Sequence, residues 1–179
     1  MISIENANIN VLSEADLTRL YRLMIKAYAE TEVEIWGENY ERLAYGEFIE
    51  LIKKKELFLA KIDEEIVGSI HVFRTDNNTF SFGLLNSDFS KKGLGIGTAL
   101  VEKAEEIAIG FGAKQMDIEV LRPADFEVPG KVMLANWYLK KGYSFTMYDT
   151  FINLKPDKVE KSNALKVPSG FDCYTKSLS

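Results

Sequence analysis

Apolar positions along the chain alternate between two rhythms, and the switches between them mark out strands and helices. Residues 3–11 alternate weakly and read as a first strand. Ser13 is placed as an N-cap, with Asp16 in the capping-box position where Glu or Gln is commoner. Leu17, Leu20, Tyr21, Met24 and Ala27 then recur at helical spacing. Residues 31–40 break that period and read as a loop, and residues 40–54 read as a second helix with Leu43, Phe48, Leu51 and Ile52 inward. Residues 57–62, 66–74 and 79–85 are β-like. Turns at Asp63-Glu64-Glu65 and Asp76-Asn77-Asn78 separate them, which predicts an antiparallel meander.

Residues 86–97 are polar and rich in glycine. Residues 98–111 put Leu100, Val101, Ala104, Ile107, Ala108 and Phe111 on one helical face, and Gly110 and Gly112 end the helix. A strand over 115–121, a proline-containing loop over 122–130 and a short helix over 131–141 follow. A strand over 143–154, a polar connection over 155–170 and a last strand over 171–177 complete the chain. The predicted fold class is α/β (α+β): one domain over 1–179, built on a mixed, mostly antiparallel sheet of six to seven strands with helices on both faces.

Composition narrows the chemistry. A net charge of -5 over 179 residues disfavours a nucleic-acid partner. With one cysteine, Cys173, no intrachain disulfide can form, which fits a reducing, cytoplasmic setting. The N-terminus lacks the basic and apolar regions of a signal peptide, and no apolar run approaches the ~20 residues of a membrane span. One His and one Cys leave no zinc site of ordinary composition, so no metal is expected.

The most informative stretch is Lys91-Lys92-Gly93-Leu94-Gly95-Ile96-Gly97-Thr98, between a strand and an amphipathic helix. Alternate glycines let successive backbone N–H groups turn into one concavity, and the helix N-terminus adds partial positive charge. That is what a pyrophosphate needs. Taken alone, a Gly-rich turn is more often a plain flexible loop. It is not a P-loop, because no Lys follows Gly97. It is not a dinucleotide fingerprint either, because the spacing is Gly-x-Gly-x-Gly after a meander.

The stretch resembles the Arg/Gln-x-x-Gly-x-Gly/Ala motif of the GNAT N-acetyltransferase superfamily, with Lys92 in the first position. A second resemblance is Trp137-Tyr138-Leu139-Lys140-Lys141-Gly142-Tyr143, similar to the family's Leu-Tyr-x-x-x-Gly-Phe pattern, and the element order also agrees. The resemblance implies a GNAT-like acyl-CoA N-acyltransferase fold, with acetyl-CoA as cosubstrate and an acetyl group moved to a primary amine within a ternary complex. The alternative is a GNAT-like domain that binds acyl-CoA as a sensor or scaffold without turnover. By the resemblance, Lys92, Gly93, Leu94, Gly95, Ile96, Gly97 and Thr98 hold the pyrophosphate, while Leu85, Asn86 and Ser87 offer backbone groups to the pantetheine and oxyanion. Asn136 is a further candidate for the pantetheine amides, although its offset from Tyr138 is not the family's usual one.

Acyl transfer requires a neutral amine, a stabilised oxyanion and a protonated leaving thiolate. Tyr138 is the candidate acid, set against a packed core tyrosine. Glu119 shares a strand face with Asp117 and is the candidate base, set against a solvated charge or no dedicated base at all. Tyr28, Glu32, Trp36 and Arg122 are candidates for acceptor binding. Glu30, Glu32 and Glu34 point to a cationic acceptor, whereas Arg122 and Lys131 point to an anionic one. His71 and Cys173 read as structural. A strand edge near the C-terminus offers a surface for a homodimer, and the partner expected otherwise is a small-molecule or peptide amine.

Overall fold

The computed structural model describes residues 1–178. A seven-stranded sheet runs in the order β1-β2-β3-β4-β5-β7-β6. Its strands are β1 (Ile2–Asn6), β2 (Leu57–Ile62), β3 (Glu65–Arg74), β4 (Thr79–Ser87), β5 (Gln115–Pro123), β6 (Ser144–Thr150) and β7 (Ser169–Ser177). Only the β4–β5 pair is parallel; the others are antiparallel. The helices are α1 (Glu14–Thr31), α2 (Val33–Trp36), α3 (Tyr45–Lys53), α4 (Ile96–Gly110), α5 (Pro129–Lys140), α6 (Phe151–Leu154) and α7 (Val159–Ala164).

The alternation of β2 explains why both faces are covered. Leu57 and Leu59 pack with Leu20 and Met24 of α1 and Phe48 and Ile52 of α3. Ala60 joins the opposite core with Val67, Ile70, Leu100, Val101 and Ala104 under α4. No helix among the described residues is long and apolar enough to cross a membrane.

Most predicted elements stand, and the departures have local causes. The Ser13 cap is a full capping box, with Asp16 N–H donating to Ser13 Oγ and Ser13 N–H to Asp16 Oδ2, both at 3.1 Å. The first strand stops at Asn6 rather than residue 11, because Asn8 starts a turn whose side chain accepts from Asn10 N–H. The expected loop over 31–40 holds the single turn α2, which ends at Gly37 with φ +86°. The second helix starts at Tyr45 rather than residue 40, since Glu47 reaches back to the Ala44 N–H. The strand read over 143–154 ends at Thr150, whose hydroxyl accepts from Asn153 N–H and caps α6, and α7 occupies part of the connection read as irregular. In each short helix the apolar spacing covers too few residues to display a period.

Candidate active site

The parallel ladder between β4 and β5 covers only Thr79–Ser81 against Gln115–Asp117. Beyond it the strands part, and a bulge in β4 accounts for the parting. Ser69 pairs with Asn86 and His71 with Gly83, so β4 fits an extra residue into that interval. Leu84 takes up the excess at φ +52°, a left-handed conformation uncommon for leucine. Gly68 lets β3 stay close, because a Cβ there would lie 2.5 Å from the Asn86 carbonyl oxygen. Tyr28 braces the bulge by donating its hydroxyl to the Leu85 carbonyl at 3.1 Å. The parted strands leave a throat of about 70 Å³ between Phe82–Leu85 and Ile118–Leu121.

One end of the throat opens into a cleft of about 750 Å³. Its outer wall is the glycine turn: Lys91, Lys92, Gly93, Gly95, Ile96, Gly97 and Thr98 all line it. Gly93 and Gly95 sit at φ +86° and +81°, which the turn requires and side-chain-bearing residues resist. Gly95 is the N-cap of α4 and no side chain caps the first turn, so its N–H groups have no intrahelical acceptor. Leu85, Asn86 and Ser87 line the floor, and Gly130, Leu134 and Trp137 of α5 stand opposite. Pro129 occupies the first position of α5, where its missing N–H costs nothing.

Two groups shape the throat itself. Tyr138 lies at its wall, 5% exposed, packed near Phe82, Tyr143 and Tyr174. Its hydroxyl has no hydrogen-bond partner among the described residues. Burial above all, with a smaller push from Tyr28, raises its pKa beyond the ordinary phenol range. The second group is a buried ion cluster around Glu32. Lys131 Nζ donates to one carboxylate oxygen at 2.6 Å, and Arg42 and the Trp36 indole N–H donate to the other. Burial pushes the Glu32 carboxyl up, but the charges and hydrogen bonds of Arg42 and Lys131 outweigh it and hold the group below its usual range.

The far end of the throat opens into a second cavity of about 290 Å³. Phe73, Phe151, Phe171 and Trp36 give it apolar walls, and Trp36 stacks on Tyr40 at 4.5 Å. Glu119 lies on the border of throat and cavity, bonded to Lys155 at 2.9 Å. His71 is at the rim, held 3.0 Å from Glu56; burial draws its pKa down although Glu56 opposes the shift.

The expected site residues therefore divide. Tyr28, Glu32, Trp36, Glu119, Tyr138, the Leu85–Ser87 stretch and the turn line three adjoining cavities, the throat sharing wall residues with each of the other two. Leu94 is 54% exposed and does not line the cleft; it points away while its neighbours' backbone faces inward. Asn136 is exposed, because Leu134 and Trp137 take the cleft-facing positions of α5. Arg122 is absent from all three linings: it bonds Asp172 at 2.7 Å and lies 4.2 Å from the Tyr148 ring. Asp117 is occupied by Thr175 and Gln115. Cys173 is half-buried on β7, and burial foremost raises its thiol pKa. Glu30 and Glu34 line the first cleft, not the second cavity. Arg42, Lys155, Lys158 and Lys161 were not singled out from the sequence, where they carry no periodic or motif signal; only the fold gathers them.

The sequence profile of the Acetyltransferase (GNAT) family matches residues 19–126. No curated protein matches the chain significantly. Solved structures share the fold at low identity. The PaiA N-acetyltransferase of Thermoplasma acidophilum, in complex with coenzyme A, aligns with TM-score 0.71 and 18% identity over 99% of both chains. A GNAT family acetyltransferase of Elizabethkingia anophelis with acetyl-CoA bound gives 0.66 and 18%, over 99% of this chain and 98% of that one. The N-acetylglutamate synthase of Neisseria gonorrhoeae, complexed with coenzyme A and N-acetyl-glutamate, gives 0.68 and 14%, covering 100% of this chain but 35% of its own.

Proposed function

Because this chain belongs to the GNAT acetyltransferase family, we propose that residues 1–179 act as one catalytic domain that transfers an acetyl group from acetyl-CoA to a primary amine in a ternary complex. The observation that carries the reading is the row of three adjoining cavities at the parting of β4 and β5. An anion cradle stands at one end, a separate cavity at the other, and the unpartnered Tyr138 hydroxyl lies between. A thioester anchored by its pyrophosphate at the glycine turn would thread its pantetheine along Leu85–Ser87 and present its carbonyl in the throat.

The chemistry follows from what surrounds that point. The amine nitrogen attacks the carbonyl carbon, forming the C–N bond as the oxygen gains charge. Backbone N–H groups of the β4 bulge, where the regular β3 pairing is interrupted, are the proposed donors to that oxygen. As the intermediate collapses the C–S bond breaks, and the thiolate takes the Tyr138 proton. Burial keeps Tyr138 a phenol at neutral pH, able to hydrogen-bond the departing sulfur; the same burial weakens it as an acid, so its proton passes fully to sulfur only as another replaces it on the phenol oxygen. The amine's surplus proton leaves through Glu119, on the acceptor side, or through water.

Acetyl-CoA is expected to raise the melting temperature, whereas ATP and NAD are not; at a hundred times Kd the gain is about 2.7 kcal/mol. Release of free thiol on adding an amine then separates turnover from binding alone. If acetyl-CoA leaves the melting temperature unchanged, the proposal fails.

A further inference from the structure

The second cavity is basic, although the chain is acidic overall. Arg42, Lys155, Lys158 and Lys161 line it, with Glu119 the carboxylate among its lining residues. Glu119 is matched by Lys155 and Glu32 by Lys131. Lys161 donates to the Arg42 carbonyl at 3.2 Å and stands 3.9 Å from Glu47, its nearest acid. Lys158 has no carboxylate partner among the described residues. Arg42 gives an N–H to Glu32 but leaves its other donors uncommitted, with its guanidinium carbon 4.7 Å from the Tyr28 ring centre. Burial first, then the charges of Lys158 and Arg42, draw the Lys161 pKa down despite Glu47. The cavity therefore holds surplus positive charge on its Lys158–Lys161–Arg42 side and aromatic walls elsewhere.

We infer that the acceptor is a small amine bearing a carboxylate and an apolar body, an apolar amino acid or close analogue, with its carboxylate toward Lys158, Lys161 and Arg42 and its amine toward the throat. This rests on the acetyl-transfer reading. Three observations direct it. A cavity of about 290 Å³ is at the small end for ligand sites, a size that suits one small molecule. A cationic acceptor would meet like charges, since Glu32 is already shared by two cations and Glu30 and Glu34 face the other opening. The aromatic walls reward apolar surface, and Lys158 and Lys161 beside them would repel an extended polyamine.

The test compares L-phenylalanine, L-leucine and L-methionine, each with its own amide, and spermidine, on the whole protein. Calorimetric binding is measured with and without coenzyme A, and thiol release with acetyl-CoA, with rates referred to the free amine. Each carboxylate is expected to bind and react at least about tenfold better than its amide, a difference of about 1.4 kcal/mol. The K158Q/K161Q double variant should reduce that ratio to near parity by weakening the carboxylates far more than the amides, a selective loss that a merely structural role would not produce. Equal or better use of the amides, absence of carboxylate binding, or preference for spermidine overturns the inference. Should acetyl-CoA fail to bind, the transferase reading falls separately, and the calorimetric ratio on the free protein still decides the charge the cavity accepts.

Discussion

The two cavities that adjoin the throat are built from different materials. The outer wall of the first cleft is contiguous backbone: the few consecutive residues of the glycine turn form it, with positive φ at Gly93 and Gly95. The cavity on the other side is largely side chain, gathered from the segment around Trp36 and Arg42, from β3, β4 and β5, and from α6, α7 and β7. A contiguous backbone site leaves a mark in sequence, because only glycine adopts those angles cheaply. A site assembled from scattered side chains leaves none, since each Lys or Arg alone reads as surface charge.

That contrast predicts different consequences for damage at each place. The largest effect is expected at their junction. Glu32→Gln removes the carboxylate that compensates Lys131 and Arg42, and should cost about 3–5 kcal/mol of stability, seen in urea unfolding. It should also change the pH dependence. The folded pKa of Glu32 lies below its ordinary 4.5, so its contribution is complete above that value and is lost as pH falls through the lower folded value. The wild type should lose stability on acidification below about pH 4.5, and the variant should lack that component. If both unfold with the same acid profile, the cluster is not the keystone it resembles.

Next in size is Tyr138→Phe. The turnover rate should fall at least about a hundredfold, with acetyl-CoA affinity and melting temperature nearly unchanged. Wild-type turnover would show that the throat needs no acid from the protein. Smaller again is Gly95→Val, which forces a branched residue to φ +81°. It should cost about 1–2 kcal/mol and weaken acetyl-CoA about tenfold, without changing the acceptor preference. An equal loss on both sides would dissolve the distinction between the openings. The smallest effect is Arg122→Gln, outside the three cavities on its Asp172 pair. It should change stability by no more than about 1 kcal/mol and leave thiol release at wild-type rate.

What was legible in the sequence follows the same division. The capping box, the meander and the helix after the glycine turn were readable because each repeats a local rule over many residues. The bulge at Leu84 was not, because a leucine at positive φ has no compositional mark. Glu32 reads in sequence as an acceptor contact; its two cationic partners lie 10 and 99 residues away, and only folding shows that its charge is already engaged. Arg122 was drawn toward the site by its place beside a long loop. Asp172, across the β5–β7 ladder, holds it on the other side.

The seam between β4 and β5 carries one more consequence. Past Ser81 the inner edge of β4 runs through the middle of the protein without a neighbouring strand on that side. Amide hydrogens along this edge will exchange with deuterium as quickly as those on an outer rim, a fast-labelling stripe inside an otherwise slow sheet. A thioester lodged in the throat would slow the stripe first, so labelling would report occupancy before any product forms.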